Sequence, residues 1–368
     1  QEIIKPPKIL NRGSDGNDLK LTIKHEIQYS VHKSLSQGVI QAQAKGGSAV
    51  VLDNETGRIL AIASYPSYNP NDPNRFIQRN RALLDSFEPG SVIKPIALAI
   101  GIENNDIDFN KFVETGPGYV ELNSHVIADL RNYGSLLPID IIAKSSQVGA
   151  AKIALEINSY DLTNGYKRFG LAVPPSINFP SIAYGKINQR SNISDHEIAS
   201  LGFGYGLEAS AIQLAMAFSV FANDGVLMEP MIARRVYDEV GETVLTFRPV
   251  AKRRVISAET SERVTEMLAD VVEHGTARRY AHFRNFSAAG KTGTTQKIEN
   301  GRYTTEKQVT SFSGFIPAYN PQLVITVVVD YPKQHKASGG KICGPAFKNI
   351  AQACIAYLGI RADKQNTA

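Results

Sequence analysis

Ser48-Ala49-Val50-Val51-Leu52-Asp53-Asn54-Glu55-Thr56-Gly57-Arg58-Ile59-Leu60-Ala61-Ile62-Ala63 is the stretch on which the fold turns. Two apolar runs, Ser48 to Leu52 and Ile59 to Ala63, flank a polar, glycine-containing segment, and together they predict two strands joined by a hairpin. Upstream, Lys24 to Lys45 places Ile27, Val31, Leu35, Val39 and Ala42 at spacings of three or four, the pattern of an amphipathic helix. Downstream come a Pro/Asn-rich loop, Tyr65 to Asn74, and a continuous apolar segment from Gly90 to about Ile102, fit for a buried helix. Further helices are predicted over Pro138 to Ile157, Leu207 to Ala222, and Ala258 to His274, the last stopping at Gly275. Strand-like runs follow at Phe286 to Thr295, Val309 to Ile316 and Leu323 to Val329, with Asn300-Gly301 as a hairpin turn between the first two. A last helix is predicted over Pro345 to Leu358. Strands, then helices, then strands, then a helix argue for an α+β fold with an antiparallel sheet. The first hairpin and the final strands must join one five-stranded sheet across a long helical insertion.

Composition agrees with a folded domain. The chain has 368 residues, net charge +5, 43% hydrophobic and 20% charged residues, which excludes a disordered, collagenous or fibrous chain. Two cysteines exclude a disulfide framework and a multi-cysteine metal site, and Cys343 and Cys354 read as free thiols. The longest apolar runs, Pro95 to Ile102 and Leu323 to Val329, fall well short of the roughly 18 residues a bilayer span needs, so the chain as given reads as soluble. Lys252-Arg253-Arg254 is the one short basic run and reads as a solvated loop, with no wider basic stripe for nucleic acid. The chain starts at Gln1 with no signal-peptide pattern, which suggests a processed or trimmed form; residues 1–20 read as a linker or the stub of a missing domain. The seven His are scattered without metal-ligand spacing, so no metal or other cofactor is expected. Gly202-Phe203-Gly204-Tyr205-Gly206 lacks the spacing and the preceding strand of a nucleotide loop.

Chemistry gathers at Ser91-Val92-Ile93-Lys94, which opens the buried helix after Glu88-Pro89-Gly90. A serine and a lysine three apart share a helix face. A lysine held in a desolvated cleft loses its charge and becomes a base for the hydroxyl. The same spacing at Ser30 to Lys33 and Ser338 to Lys341 falls on an amphipathic helix and in a Gly-rich loop, and reads as chance. Lys291-Thr292-Gly293-Thr294-Thr295 occurs once, on a predicted strand whose small residues let a peptide approach the edge. Between them, Ser145-Ser146-Gln147 lies on the helix predicted over Pro138 to Ile157. Strict Ser-x-Asn occurs at Ser67-Tyr68-Asn69 and Ser176-Ile177-Asn178, both read as loop chemistry.

S-x-x-K, S-x-N and K-T-G form the set shared by penicillin-binding proteins and class A β-lactamases. With Gln147 in the Asn position, the chain resembles the transpeptidase domain of a class B penicillin-binding protein. The resemblance extends to Gly47 to Asp53, Ala61 to Pro66, Asn80-Arg81-Ala82, Phe87 to Ser91, Gly204 to Leu207, Gly275-Thr276-Ala277 and Ala337 to Lys341. Lys144-Ser145-Ser146 and Val148-Gly149 look most like the septal, penicillin-binding protein 3 type. The resemblance implies the penicillin-binding protein/serine β-lactamase-like fold over residues 21–362, with a flexible tail at 363–368. It implies a peptidoglycan D,D-transpeptidase in which Ser91 attacks D-Ala-D-Ala, Lys94 takes the serine proton and Ser145 relays protons beside Lys291. Gln147, Thr292, Gly293 and Thr294 would bind substrate, and the backbone N–H groups of Ser91 and Thr294 would form the oxyanion hole. Stem peptides, covalently bound β-lactams, division proteins and a glycan polymerase are the implied partners, with no nucleic acid. The implied location is the periplasmic face of the inner membrane, through an N-terminal anchor absent from this chain. A serine β-lactamase, a D,D-carboxypeptidase and a non-catalytic β-lactam sensor are the alternatives.

Overall fold

The computed structural model describes residues 16–364 except 70, 73–78, 123–124, 178, 189–192, 300 and 335. Asn74, Asn178 and Asn300, named above, therefore lie outside the described residues, as do 1–15 and 365–368. The elements that position the site are α1 (His25–Gln41), β1 (Gly46–Asp53), β2 (Ile59–Tyr65), α2 (Lys94–Glu103), α3 (Pro138–Lys144), α4 (Gln147–Glu156), α5 (Ala211–Ala222), α6 (Ala258–Glu273), β3 (Ala289–Glu299), β4 (Arg302–Ile316), β5 (Leu323–Asp330) and α7 (Gly339–Leu358). The five strands form one antiparallel sheet in the order β3-β4-β5-β1-β2. The first hairpin and the last three strands do meet: Leu323 lies opposite Asp53 and Asp330 opposite Gly46.

The central strands are buried on both faces, which is why they read as unbroken apolar runs rather than alternating ones. Helices α1 and α7 pack together against the sheet. Ile27, Val31, Leu35 and Val39 are the buried stripe of α1. Helix α5 packs on β1, β4 and β5, and every one of its residues is buried. The helix, expected from Leu207, starts at Ala211. The Gln213 carboxamide fixes that start: it accepts from the Ser210 amide and donates to the carbonyls of Gly170, Val173 and Tyr184.

Four expectations need correction. The helix expected over Pro138 to Ile157 is two helices, broken at Ser145, which has left-handed backbone angles (φ 59°, ψ 40°). The helix expected from Pro345 starts at Gly339, so Ser338-Gly339-Gly340-Lys341 is a helix N-terminus and not a loop; Ser338 caps it by accepting from the Lys341 amide. Two glycines stand there because a Cβ on Gly339 would meet the carbonyl oxygens of Gly293 and Ser311 at 2.4 Å. Lys252-Arg253-Arg254 lies in a short strand, not a solvated loop; the Arg253 guanidinium donates to the Lys167 and Arg168 carbonyls at the end of helix Ser159–Arg168. Finally, Asp18–Leu21, whose first three residues fall within the 1–20 stretch read as a linker or stub, pairs with Ala233–Tyr237. At the other end, Asp363 accepts from the Ser287 amide. Cys343 and Cys354 are both buried and unbridged. No described helix is long and apolar enough to cross a membrane.

Candidate active site

Ser91 sits in a 3-10 turn, Gly90–Ile93, that runs straight into α2. The chain reaches it through Gly90, whose positive φ (59°) and close approach to Thr295 exclude a side chain: a Cβ would lie 2.5 Å from Thr295 Cγ2. The Gly90 amide donates to the Gly204 carbonyl at 3.1 Å. The glycine cluster that failed as a nucleotide loop is thus the backing of the serine turn. Three residues on, Lys94 is fully buried.

The break between α3 and α4 brings the second motif to the first. In its left-handed conformation Ser145 turns its carbonyl to the Lys94 amine, 2.6 Å away, and holds its hydroxyl 3.2 Å from the same nitrogen. Lys291 on β3 donates to that hydroxyl from the other side at 3.0 Å. One serine hydroxyl therefore bridges two buried lysines. The turn is held by Ser146, which caps α4 by accepting from the Gly149 amide. Ser146 also donates to Asp129 at 2.6 Å, and the other Asp129 oxygen accepts from the Gln147 and Val148 amides. A carboxylate at a helix N-terminus is favourably placed. Asp129 escaped the sequence reading because no spacing rule ties it to Ser146, 17 residues on.

Burial is the main electrostatic force in the site. It pushes Lys94 well below the ordinary lysine range, the nearby Lys291 charge pushes it further, and Asp129 opposes both. Burial alone lowers Lys291 to about 7. A lysine so shifted supplies a neutral amine, the form a general base needs.

Along β3 the side chains alternate between the two faces. Gly293 faces the serine turn, and a Cβ on it would meet Ser311 Oγ at 2.4 Å and the Pro89 carbonyl at 2.6 Å. Glycine lets the strand lie against the serine turn. Thr292 and Thr294 face the other way. The Thr292 hydroxyl is 3.2 Å from that of Thr276, and the Thr294 hydroxyl accepts from the Gly339 amide at 3.0 Å. An oxygen that accepts from an amide still has its own hydrogen to give, which suits a carboxylate ligand. Thr295 donates to the Glu88 carbonyl at 2.8 Å. The Glu88 carboxylate accepts from the Gly206 amide and the Tyr303 hydroxyl, and burial raises its pKa. Asp129, Thr276, Glu88 and Tyr303 are the site residues that motif reading missed.

Gln147 is exposed and, with Val126 and Ile127, lines a cleft of about 490 Å³. Phe203, Tyr205, Tyr303 and Gln296 also line it, and Tyr205 and Tyr303 meet edge to face at 5.2 Å. The other two Ser-x-Asn triplets do not join the site residues: Asn69 turns back on the Asn71 amide, and Asn178 is outside the described residues.

Comparison with known proteins matches this arrangement. Residues 47–352 match the penicillin binding protein transpeptidase domain family. The chain is 34% identical over 357 residues to the probable peptidoglycan D,D-transpeptidase PenA of Neisseria gonorrhoeae, covering 96% of this chain and 59% of that protein. It is 31% identical over 355 residues to the peptidoglycan D,D-transpeptidase FtsI of Escherichia coli K12, covering 95% and 58%. It thus spans under two thirds of these relatives. Among solved structures, the transpeptidase domain of Burkholderia pseudomallei penicillin-binding protein 3 superposes with a TM-score of 0.83 at 33% identity, over 94% of this chain and 98% of that one. Penicillin-binding protein 3 of Mycobacterium tuberculosis complexed with aztreonam gives 0.86 at 27% identity, over 97% and 83%. With a family match over residues 47–352, most of its length, the chain belongs to the penicillin-binding protein transpeptidase domain family.

Proposed function

We propose that the chain is the catalytic part of a peptidoglycan D,D-transpeptidase working through an acyl-enzyme on Ser91. The observation that carries this reading is the Ser145 hydroxyl lying within hydrogen-bond reach of both Lys94 and Lys291, beside the serine turn. Ser91 attacks the carbonyl of the penultimate D-Ala of a stem peptide, and its proton passes to neutral Lys94. The carbonyl oxygen takes negative charge and is received by the Ser91 and Thr294 backbone amides, a contribution of several kcal/mol in acyl transfer. As the tetrahedral adduct collapses, the carbon–nitrogen bond breaks and D-Ala leaves, with its amine protonated through Ser145. Lys291, Thr292 and Thr294 hold the terminal carboxylate, and Gln147 offers its carboxamide to the peptide in the aromatic cleft. An amine from a second stem then takes the acyl group and releases Ser91.

The relatives named as D,D-transpeptidases support this activity. The Lys144 to Gly149 context supports septal synthesis in particular, and with it division proteins and a glycan polymerase as partners. The same reading places the domain at the periplasmic face of the inner membrane, held by a segment N-terminal to this chain. Intact-protein mass spectrometry with benzylpenicillin, followed over hours, tests it. A persistent adduct of one drug mass on Ser91, absent in Ser91→Ala, is expected. A transient adduct with accumulating hydrolysed drug means a β-lactamase instead, and no adduct refutes the catalytic reading.

A further inference from the structure

A second cleft, of about 540 Å³, opens beside Thr276 and is formed by residues between Glu273 and His282. Thr276 ties it to the site, since its hydroxyl meets that of Thr292 and its amide donates to the Ala143 carbonyl at the end of α3. The charge in this cleft is one-sided. Its carboxylate, Glu273, is engaged by Lys364 and by His282 at 3.2 Å, and the neighbouring Asp270 by His274 at 2.6 Å. Arg278 and Arg279 are exposed at its rim with no carboxylate paired to them among the described residues.

We propose that Arg278 and Arg279 recognise a carboxylate of the acceptor, so that this cleft is where the second stem peptide enters. The inference rests on the transpeptidase reading above. In that reading the leaving D-Ala points its carboxylate at Thr292, hence toward Thr276 and the cleft. Aminolysis of an acyl-enzyme is the reverse of amine departure, so the incoming amine follows the path the leaving amine took. The amine attacks the Ser91 acyl carbon, a carbon–nitrogen bond forms, and the bond to Ser91 Oγ breaks. The surplus proton of the amine returns to the serine oxygen through Ser145 and Lys94. A ligand whose reacting amine neighbours a carboxylate, as in D-alanine itself, would set that carboxylate before two guanidinium groups suited to bidentate pairing. Phosphate or uncharged peptide would not need this pairing beside the reacting amine.

The test is the ratio of aminolysis to hydrolysis of one acyl-enzyme, formed from a D-Ala-D-Ala-ended peptide, with D-alanine or D-alaninamide as acceptor. This ratio is insensitive to how fast the acyl-enzyme forms. In the doubly substituted Arg278→Ala, Arg279→Ala protein it should fall about tenfold for D-alanine and stay level for D-alaninamide. The Arg278→Lys, Arg279→Lys protein should recover most of the loss. An unchanged ratio, or equal falls for both acceptors, overturns the proposal. If the unaltered chain forms no acyl-enzyme, the underlying reading has failed instead. The cleft is then judged alone by NMR titration with D-alanine, where equal affinity for the unaltered and doubly substituted chains refutes it.

Discussion

Gly204→Ala is the substitution that most directly probes how the serine turn is held. Gly204 has φ +89°, and a Cβ there would lie 2.2 Å from the Gly90 carbonyl oxygen and 2.6 Å from its Cα. Those are backbone atoms of the residue preceding Ser91, so no flexible side chain can absorb the clash. Relief to an ordinary contact requires a displacement of about 1 Å, shared between Gly90 and the Gly204 loop. The loop has little freedom, because Gly206 is tied to Glu88 at 2.7 Å and Gly204 to the Gly90 amide. Misplacing a reacting group by about 1 Å costs about a hundredfold in rate. The left-handed backbone adds about 1 to 2 kcal/mol of destabilisation for any L side chain. Gly206→Ala is the control: its φ is also positive, +76°, but the nearest atom to its Cβ is Leu201 Cδ2 at 3.8 Å. Gly206→Ala should therefore lose only the left-handed backbone cost, Gly204→Ala should lose more because of its clash, and only Gly204→Ala should acylate slowly. Second-order acylation by a fluorescent penicillin, with thermal melting of each protein, measures both. Acylation of Gly204→Ala within about threefold of Gly206→Ala would refute the steric argument.

Other perturbations address the rest of the site. Asp129→Ala leaves the Ser146 hydroxyl and the Gln147 and Val148 amides without their acceptor; it should cost about 2 kcal/mol and slow acylation, with Asp129→Asn less damaging, read by thermal melting and acylation rate. Lys291→Met should raise stability at neutral and lower pH. The folded protein holds Lys291 at about 7, below its unfolded value, so the unfolded chain binds more protons as pH rises from about 7 to about 10 and the penalty fades across that window. A melting difference between the two proteins that stays constant from about pH 6 to about pH 10 would contradict the shift. Gln147→Asn, which shortens an exposed carboxamide by one methylene, should leave acylation within about an order of magnitude; a loss of several orders would show that the cleft is fitted to the longer side chain.

Much of the fold was legible because its signals are local. The β1–β2 hairpin and the apolar runs of β4 and β5 announce themselves by composition, and Ser91, Lys94 and Lys291 by spacing. The break at Ser145 is not local in that sense. Periodicity runs through it unbroken, and left-handed backbone at a serine has no compositional marker. Ser146-x-x-Gly149 carried a weak capping hint, but the partner that completes the cap, Asp129, lies just after the strand His125–Ala128, outside both helices. The start of α7 was hidden for a different reason. Gly339 and Gly340 look like loop residues until β3 and β4 are seen pressed against them, and Pro345, a good first-turn residue, falls inside the helix instead. Thr276 and Glu88 were quoted only as parts of family segments, because their roles depend on contacts with β3 and β4 that separation in sequence conceals.

The strand order also dictates when the site is assembled. The edge of β1 is closed by β5, whose pairing Leu323 lies 270 positions beyond Asp53. A chain emerging from its N-terminus carries the Ser91 segment long before Lys291 and β5 exist. During that interval the β1–β2 hairpin presents an unpaired backbone edge, a template for mispairing with other chains. Sequence separation of this size makes the closing step slow relative to local helix formation. The arrangement also makes the Ser91 site dependent on completion. A truncated chain lacking β3 to β5 has the serine and Lys94 but neither the second lysine nor the strand against which the serine turn rests, so under the proposed function unfinished copies would not react.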